Sequence, residues 1–183
     1  MEAYVYLRVQ PGAMASVLRG LASQPSIRRA VAVVGEWDVM AHVEGPELAA
    51  IAAHVTSEIQ HVEGVIRTLT AAVVPPDRVG IAGWGAPHAP AIIADACYVH
   101  IRAETGAVSG LAERLSELPD VSGVAVLAGH YDLLACVAQP WEVGSGIIIE
   151  QIHSLPGLIS TMTLVSFHFE ELQEDRDQFS AWS

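Results

Sequence analysis

Two short segments, Gly35-Glu36-Trp37-Asp38 and Gly129-His130-Tyr131-Asp132, set a glycine, an aromatic ring and a carboxylate in the same order and spacing. Glycine admits the positive φ of a tight turn, and aspartate accepts backbone N–H groups there. Exposed backbone groups beside a carboxylate can bind the amine of a small zwitterion, and the neighbouring ring would screen the contact from water. Hairpin chemistry with an aromatic at its edge explains the same residues without any ligand. A second set with chemical capacity is Tyr6, Arg8, His42, His100 and Arg102. In an enzyme these would line a cavity, with a histidine as acid or base. His42, Glu44, His100 and Cys136 are metal-ligand types, but no HxxxH or CxxC spacing supports a site, so no metal is expected. Nor does the chain hold a glycine-rich phosphate loop, a GxSxG or an HExxH, so no cofactor is expected.

The two segments recur because the chain is one unit written twice. Tyr4-Val5, Arg8, Gly12-Ala13, Leu21, Pro25, Gly35, Asp38, Ala41, Val43 and Pro46 return 94 residues later as Tyr98-Val99, Arg102, Gly106-Ala107, Leu115, Pro119, Gly129, Asp132, Ala135, Val137 and Pro140. After one deletion the offset is 93, and Ile59, Gly64, Thr68 and Thr70 meet Ile152, Gly157, Thr161 and Thr163. A repeat of this kind decides the fold before any local pattern does.

Each copy reads strand, helix, strand, strand, helix, strand. Residues 3–10 alternate, with Val5, Leu7 and Val9 on one side and Tyr4, Tyr6 and Arg8 on the other, as in a half-buried strand. Residues 12–23 carry Val17, Leu18 and Leu21 at helical spacing. Gly35-Glu36 turns the apolar run 27–34 into 37–44, a hairpin signal. Pro46 suits a helix start, Leu48, Ile51, Ala52, Val55, Ile59 and Val62 line one helical face, and 66–74 is the last strand. The second copy repeats this at 97–104, 106–118, 121–128, 131–138, 140–155 and 159–169, with Gly144 and Gly146 weakening its second helix.

This order is the ferredoxin-like plan, in which both helices cover one face of a four-stranded antiparallel sheet. The other face must find a partner. The expected fold is therefore α+β: two tandem ferredoxin-like units paired through their sheets, as in a dimeric α/β-barrel. Units span 1–75 and 95–170, with a Pro/Gly/Ala linker at 76–94, long enough for several dockings, and an acidic tail at 171–183. Period-2 alternation sends Tyr4, Tyr6, Arg8, Met40, His42 and Glu44 to the bare face, with Tyr98, His100, Arg102, Leu134, Cys136 and Ala138 as counterparts. Thr68, Thr70, Thr161 and Thr163 are expected there too. Cys97 shares parity with Val99 and Cys136 with Leu134, on opposite faces, which argues against a disulfide.

Composition narrows the function classes. The formal charge is −12 and all nine basic side chains are arginine. Nucleic-acid affinity rests on neutralising phosphates, so direct binding is not expected. No apolar run is long and clean enough to span a membrane, and the Met-Glu-Ala-Tyr start lacks the basic residues of a signal peptide. The expectation is a soluble cytoplasmic protein. Units of about 75 residues are marginal alone, and a chain 51% hydrophobic is expected to share apolar surface between copies or chains.

The run Ala3-Tyr-Val-Tyr-Leu-Arg-Val-Gln-Pro-Gly12, with Gly35-Glu-Trp-Asp38 and the segment Glu47–Val74, resembles the effector-binding domain of the leucine-responsive regulator (Lrp/AsnC) family. The second copy resembles it more closely, through Gly129-His-Tyr-Asp-Leu-Leu134, Ile152-His-Ser-Leu-Pro-Gly157 and Ser160-Thr-Met-Thr163. The resemblance implies a ferredoxin-like fold paired through its sheets, homo-oligomers, and amino-acid effectors held near the hairpin. Carried over, the ligand residues are Gly129, His130, Tyr131 and Asp132, and more weakly Gly35, Glu36, Trp37 and Asp38, where Trp37 replaces the usual Tyr. Regulators of the family carry an N-terminal helix-turn-helix, whereas this sequence starts on the first strand. The leading expectation is a tandem sensor that binds an amino acid and acts through a partner, such as a full-length regulator of the same family. An enzyme with its site between the sheets and a purely structural oligomerisation module are the alternatives.

Overall fold

The computed structural model describes residues 1–75, 78 and 89–169. The first unit runs β1 (Glu2–Val9), α1 (Met14–Ala22), β2 (Ile27–Val34), β3 (Val39–Glu44), α2 (Leu48–Ser57), a 3-10 turn at Ile59–His61, and β4 (Val65–Val74). The second runs β5 (Cys97–Ala103), α3 (Val108–Glu117), β6 (Val121–Ala128), β7 (Leu133–Val137), α4 (Trp141–Ile147) continuing as a π-helical turn Ile148–Ile152, and β8 (Leu158–Phe167). Pro140 is the N-cap of α4, whereas Pro46 lies one residue before the α2 N-cap, Glu47.

The two sheets do more than face each other. Their edges pair into one closed barrel of order β1-β3-β2-β8-β5-β7-β6-β4. The last strand of each unit is ten residues long and overhangs its own sheet. The far end of β4 pairs with β6 through Ala72↔Ala128, Val73↔Leu127 and Val74↔Val126. The far end of β8 pairs with β2 through Ala32↔Phe167, Val33↔Ser166 and Val34↔Val165. Closure leaves no strand edge exposed. The fold is the α+β, dimeric α/β-barrel type that the repeat predicts, with both halves supplied by one chain.

Three cores follow. Val5, Leu7, Val17, Leu21, Ile51 and Ile59 pack under the helices of the first unit. Val99, Ile101, Leu111, Leu115, Ile148 and Ile152 do so in the second. The barrel interior holds Tyr4, Tyr6, Met40, Tyr98, Leu134, Cys136 and Leu164. An eight-stranded barrel has an interior just wide enough for side chains to fill. Cys97 lies in a helix-side core and Cys136 inside the barrel, and both are free thiols, as their parity predicts.

The threonines of the last strands depart from expectation. β1 pairs with β4 through Val5↔Thr70, Tyr6↔Leu69 and Leu7↔Thr68. β5 pairs with β8 through Val99↔Thr163, His100↔Met162 and Ile101↔Thr161. Directly opposed residues project to the same face, so all four threonines lie on the helix side. Leu69 and Met162 point into the barrel instead. Both parities of these strands mix polar and apolar residues, so alternation does not choose. The register does, and it is set by bulges at Arg8/Val9 and Arg102/Ala103.

The connection between units is partly built in. Ile92 is 2% exposed and packs in the barrel interior. Tyr4 donates its hydroxyl to the Pro90 carbonyl at 2.7 Å. The Tyr98 hydroxyl accepts the Ile93 N–H at 2.6 Å and donates to the Ala91 carbonyl at 3.0 Å. The rest of the expected linker and the acidic tail lie outside the described residues. Among the described residues, no helix is long and apolar enough to cross a membrane.

Candidate functional site

Barrel closure brings the two hairpins to one mouth. Each turn packs on the last strand of the other unit. A Cβ on Gly35 would lie 2.7 Å from Leu164 Cδ2 and 3.0 Å from the Thr163 carbonyl, and its φ is +143°. Only glycine fits that close approach without strain. A Cβ on Gly129 would lie over Ala71 and the Thr70 carbonyl at the ordinary contact distances of 3.8–4.0 Å. The hairpins then touch: the Tyr131 hydroxyl donates to Glu36 Oε2 at 3.3 Å.

Each aspartate ties its hairpin to the first strand of its unit. Asp38 Oδ2 accepts the Val9 N–H at 2.8 Å, and Asp132 Oδ2 accepts the Ala103 N–H at 2.9 Å. Those N–H groups lie just past the last partners of β1 with β3 and of β5 with β7, Leu7↔Val39 and Ile101↔Leu133, beside register shifts whose extra residues are Ile66 on β4 and Ile159 on β8. The carboxylates therefore continue the hairpin ladder and secure the ends of β1 and β5. A hydrogen bond to a charged acceptor contributes about 1.5–3 kcal/mol. Asp132→Ala should lower the unfolding free energy by about that amount, read as a shift of the urea midpoint. A midpoint unchanged from the parent would refute this role.

Trp37 and Tyr131 are 4% and 9% exposed and form a floor, not a protruding clamp. With Tyr6 and His100 they make a row of rings across the mouth. Trp37 and Tyr6 are 6.1 Å apart, Tyr6 and His100 5.0 Å, and His100 and Tyr131 5.2 Å between centroids. Above this floor stand the exposed Glu36 and His130 and the guanidinium groups of Arg8, Arg67 and Arg102. His130 meets the Tyr131 ring edge-on at 4.8 Å. Arg8 and Arg67 place their guanidinium carbons 6.0 and 5.7 Å from the Trp37 centroid, within reach of cation–π attraction. Burial raises the Tyr131 pKa, and the Glu36 carboxylate raises it further, so the phenol stays a donor.

Tyr6 and His100 occupy equivalent positions of the repeat and meet at the barrel centre. The Tyr6 hydroxyl lies 2.7 Å from His100 Nε2, and His100 Nδ1 lies 3.3 Å from the Met162 carbonyl. A carbonyl only accepts, so Nδ1 carries the proton and Nε2 accepts from Tyr6. Burial pushes the His100 pKa down to about 4 and the Tyr6 pKa up, which keeps both neutral.

The candidate cavity residues do not form one site. Tyr6, Arg8, His100 and Arg102 belong to the hairpin end, but His42 does not. Its ring stacks on Tyr4 at 5.1 Å, and its Nε2 lies 3.2 Å from Glu2 Oε2, near the opposite end of β1. There Glu2, His42 and Glu44 offer donor atoms within 4.8 Å of one another, a set that can hold a divalent cation, although Glu44 already pairs with Arg28 Nε. Sequence reasoning passed over Glu2 and Arg67. Arg67 was legible only through its register opposite Arg8.

Residues 2–75 match the model of the Lrp/AsnC ligand binding domain. A search of the curated proteins finds no match. Among solved structures, the siroheme decarboxylase NirDL superposes with a TM-score of 0.65 at 11% identity, covering 100% of this chain and 79% of that one. A putative monooxygenase from Lactobacillus acidophilus NCFM gives 0.53 at 9% identity, covering 90% and 92%. At these identities the likeness is one of fold. AsnC of E. coli is 18% identical over 49% of this chain and 64% of its own, with a TM-score of 0.36. With the repeat and the hairpins, the family match marks residues 2–75 of this chain as similar to the Lrp/AsnC ligand binding domain.

Proposed function

We propose that the chain is a single-chain sensor of the Lrp/AsnC type that binds a small zwitterion, in the first instance an amino acid, at the hairpin rim. The observation that carries this reading is the Tyr131–Glu36 contact, which joins the two hairpins at one mouth. Glu36 is the exposed carboxylate suited to an ammonium group, and Arg102 supplies a guanidinium suited to a carboxylate on the other side of the mouth. The buried rings beneath exclude water from one side of both contacts, which strengthens them. The sensor would act as a homo-oligomer through a partner, such as a full-length regulator of the same family.

Calorimetric titration with the twenty amino acids tests the reading. At least one should bind, and Glu36→Gln should weaken it about tenfold or more, the loss of roughly 1.4 kcal/mol. Glu36 is exposed, so the substitution spares the fold, unlike Asp132→Ala. Absence of binding to the parent chain, or equal affinity in Glu36→Gln, would defeat it.

The Tyr6–His100 pair is the observation that favours an enzyme. It supports that reading less well, because His100 is fully buried and both ring nitrogens are engaged.

A further inference from the structure

The first-unit side of the mouth carries a charge arrangement that the fold does not require. Arg8 and Arg67 are direct partners across β1 and β4. Like charges directly opposite on paired strands destabilise a sheet. Both guanidinium groups nevertheless converge on one indole, at 6.0 and 5.7 Å from its centroid. Arg8 has a partial counter-charge in Asp38, at 3.6 Å, but the other oxygen of that carboxylate is committed to the Val9 N–H. Arg67 contacts the Trp37 face and has no carboxylate within ion-pair distance among the described residues. The repeat supplies an internal control. Arg102, the equivalent of Arg8, faces Ser160 across β5 and β8. One unit thus builds the same bulge and hairpin without a second arginine, so Arg67 is not scaffold.

We infer that Arg8 and Arg67, both held on the Trp37 ring, form an oxyanion subsite, and that the ligand of the rim carries a second acidic group beyond the α-carboxylate of an ordinary amino acid. Two planar guanidinium forks held by one aromatic face suit a carboxylate or phosphate that accepts from both. On a chain with formal charge −12, such a paired cationic spot stands against the surrounding field and selects for an anion by contact, not by long-range attraction. The ligand class is an acidic amino acid, or a small metabolite with two separated oxyanion groups. This identification of the ligand rests on the hairpin rim as the binding site; the subsite itself does not.

The test uses the full chain, Arg67→Ser, which copies the second unit, and Arg67→Lys. Thermal shift and calorimetry are run with glutamate against glutamine, aspartate against asparagine, and with succinate and inorganic phosphate. The expected result is that the acid binds at least tenfold more tightly than its amide. Arg67→Ser should abolish that preference and Arg67→Lys should restore it only in part. Succinate above phosphate assigns the subsite to carboxylates, and phosphate above succinate to phosphorylated ligands. Equal binding of acid and amide, or an unchanged preference in Arg67→Ser, would overturn the subsite while leaving the sensor reading intact. Succinate or phosphate binding that depends on Arg67, with no amino acid bound, would keep the subsite and overturn the sensor reading. Absence of binding by every probe would overturn both.

Discussion

Lowering the pH from 7.5 to 5 should cost the fold about 2 kcal/mol through His100 alone. The argument is one of linkage. An unfolded histidine titrates near 6.5, whereas burial in the barrel brings His100 down to about 4. Between those values the unfolded chain takes up a proton that the folded chain does not. Stability is therefore complete above the unfolded value and falls as pH drops toward 4. Below 4 the folded form is protonated as well, and the loss levels off near 3 kcal/mol. Geometry gives the same sign. Nδ1 already donates to the Met162 carbonyl, and Nε2 accepts from the Tyr6 hydroxyl, so a further proton displaces a good hydrogen bond and adds a charge to an apolar interior. Urea unfolding at both pH values measures the effect. His100→Gln keeps a polar side chain at the site but does not titrate, and should lose most of the pH dependence of the parent. The same pH dependence in both proteins would show that the acid sensitivity arises elsewhere.

The pair also illustrates what a single sequence discloses. The repeat aligns Tyr6 with His100 at an offset of 94, and alternation turns both toward the unpaired sheet face. Their contact was therefore implicit once the two faces were expected to meet. The hairpin residues were legible for the same reason: glycine, ring and aspartate have one geometry that suits them, and it recurs. The function of the aspartates was not. A carboxylate in a turn suits a ligand and a backbone N–H equally well, and the strand ends that engage Asp38 and Asp132 are fixed only by where the ladders with β3 and β7 stop. Register also hid Arg67. Its strand carries polar and apolar residues on both parities, so only pairing with β1 shows that Arg67 stands opposite Arg8. Glu2 and His42 meet for the same reason, across β1 and β3. Composition alone reads Pro90–Asp95 as spacer, because proline and alanine are common in connections. Ile92 and Ile93 are the apolar residues that break that composition.

Truncating one of those two, Ile92→Ala, should destabilise the chain by about 2–5 kcal/mol. Ile92 is 2% exposed and packs with the barrel-interior residues. The walls of that interior are strands locked in a closed ladder, so they cannot collapse into the space left by three carbons, and the cavity term stays large. The segment is fixed on both sides of Ile92. Pro90 accepts from Tyr4, while Ile93 N–H donates to Tyr98. The Ser166 hydroxyl donates to the Ile93 carbonyl at 2.8 Å and accepts the Ala96 N–H at 3.0 Å. Tyr98→Phe removes the acceptor for the Ile93 N–H and should cost about 1–3 kcal/mol. The two changes act on one segment, so the double variant should lose less than their sum. A loss below about 1 kcal/mol for Ile92→Ala would mean that the segment lies on the barrel without holding it. The expected result has a functional consequence. The segment meets Tyr4 and Tyr98, at the end of the barrel away from the hairpins, and covers that end with the chain's own residues. Among the described residues, the hairpin rim, the side where the arginines stand, is then the approach a ligand has to the rings.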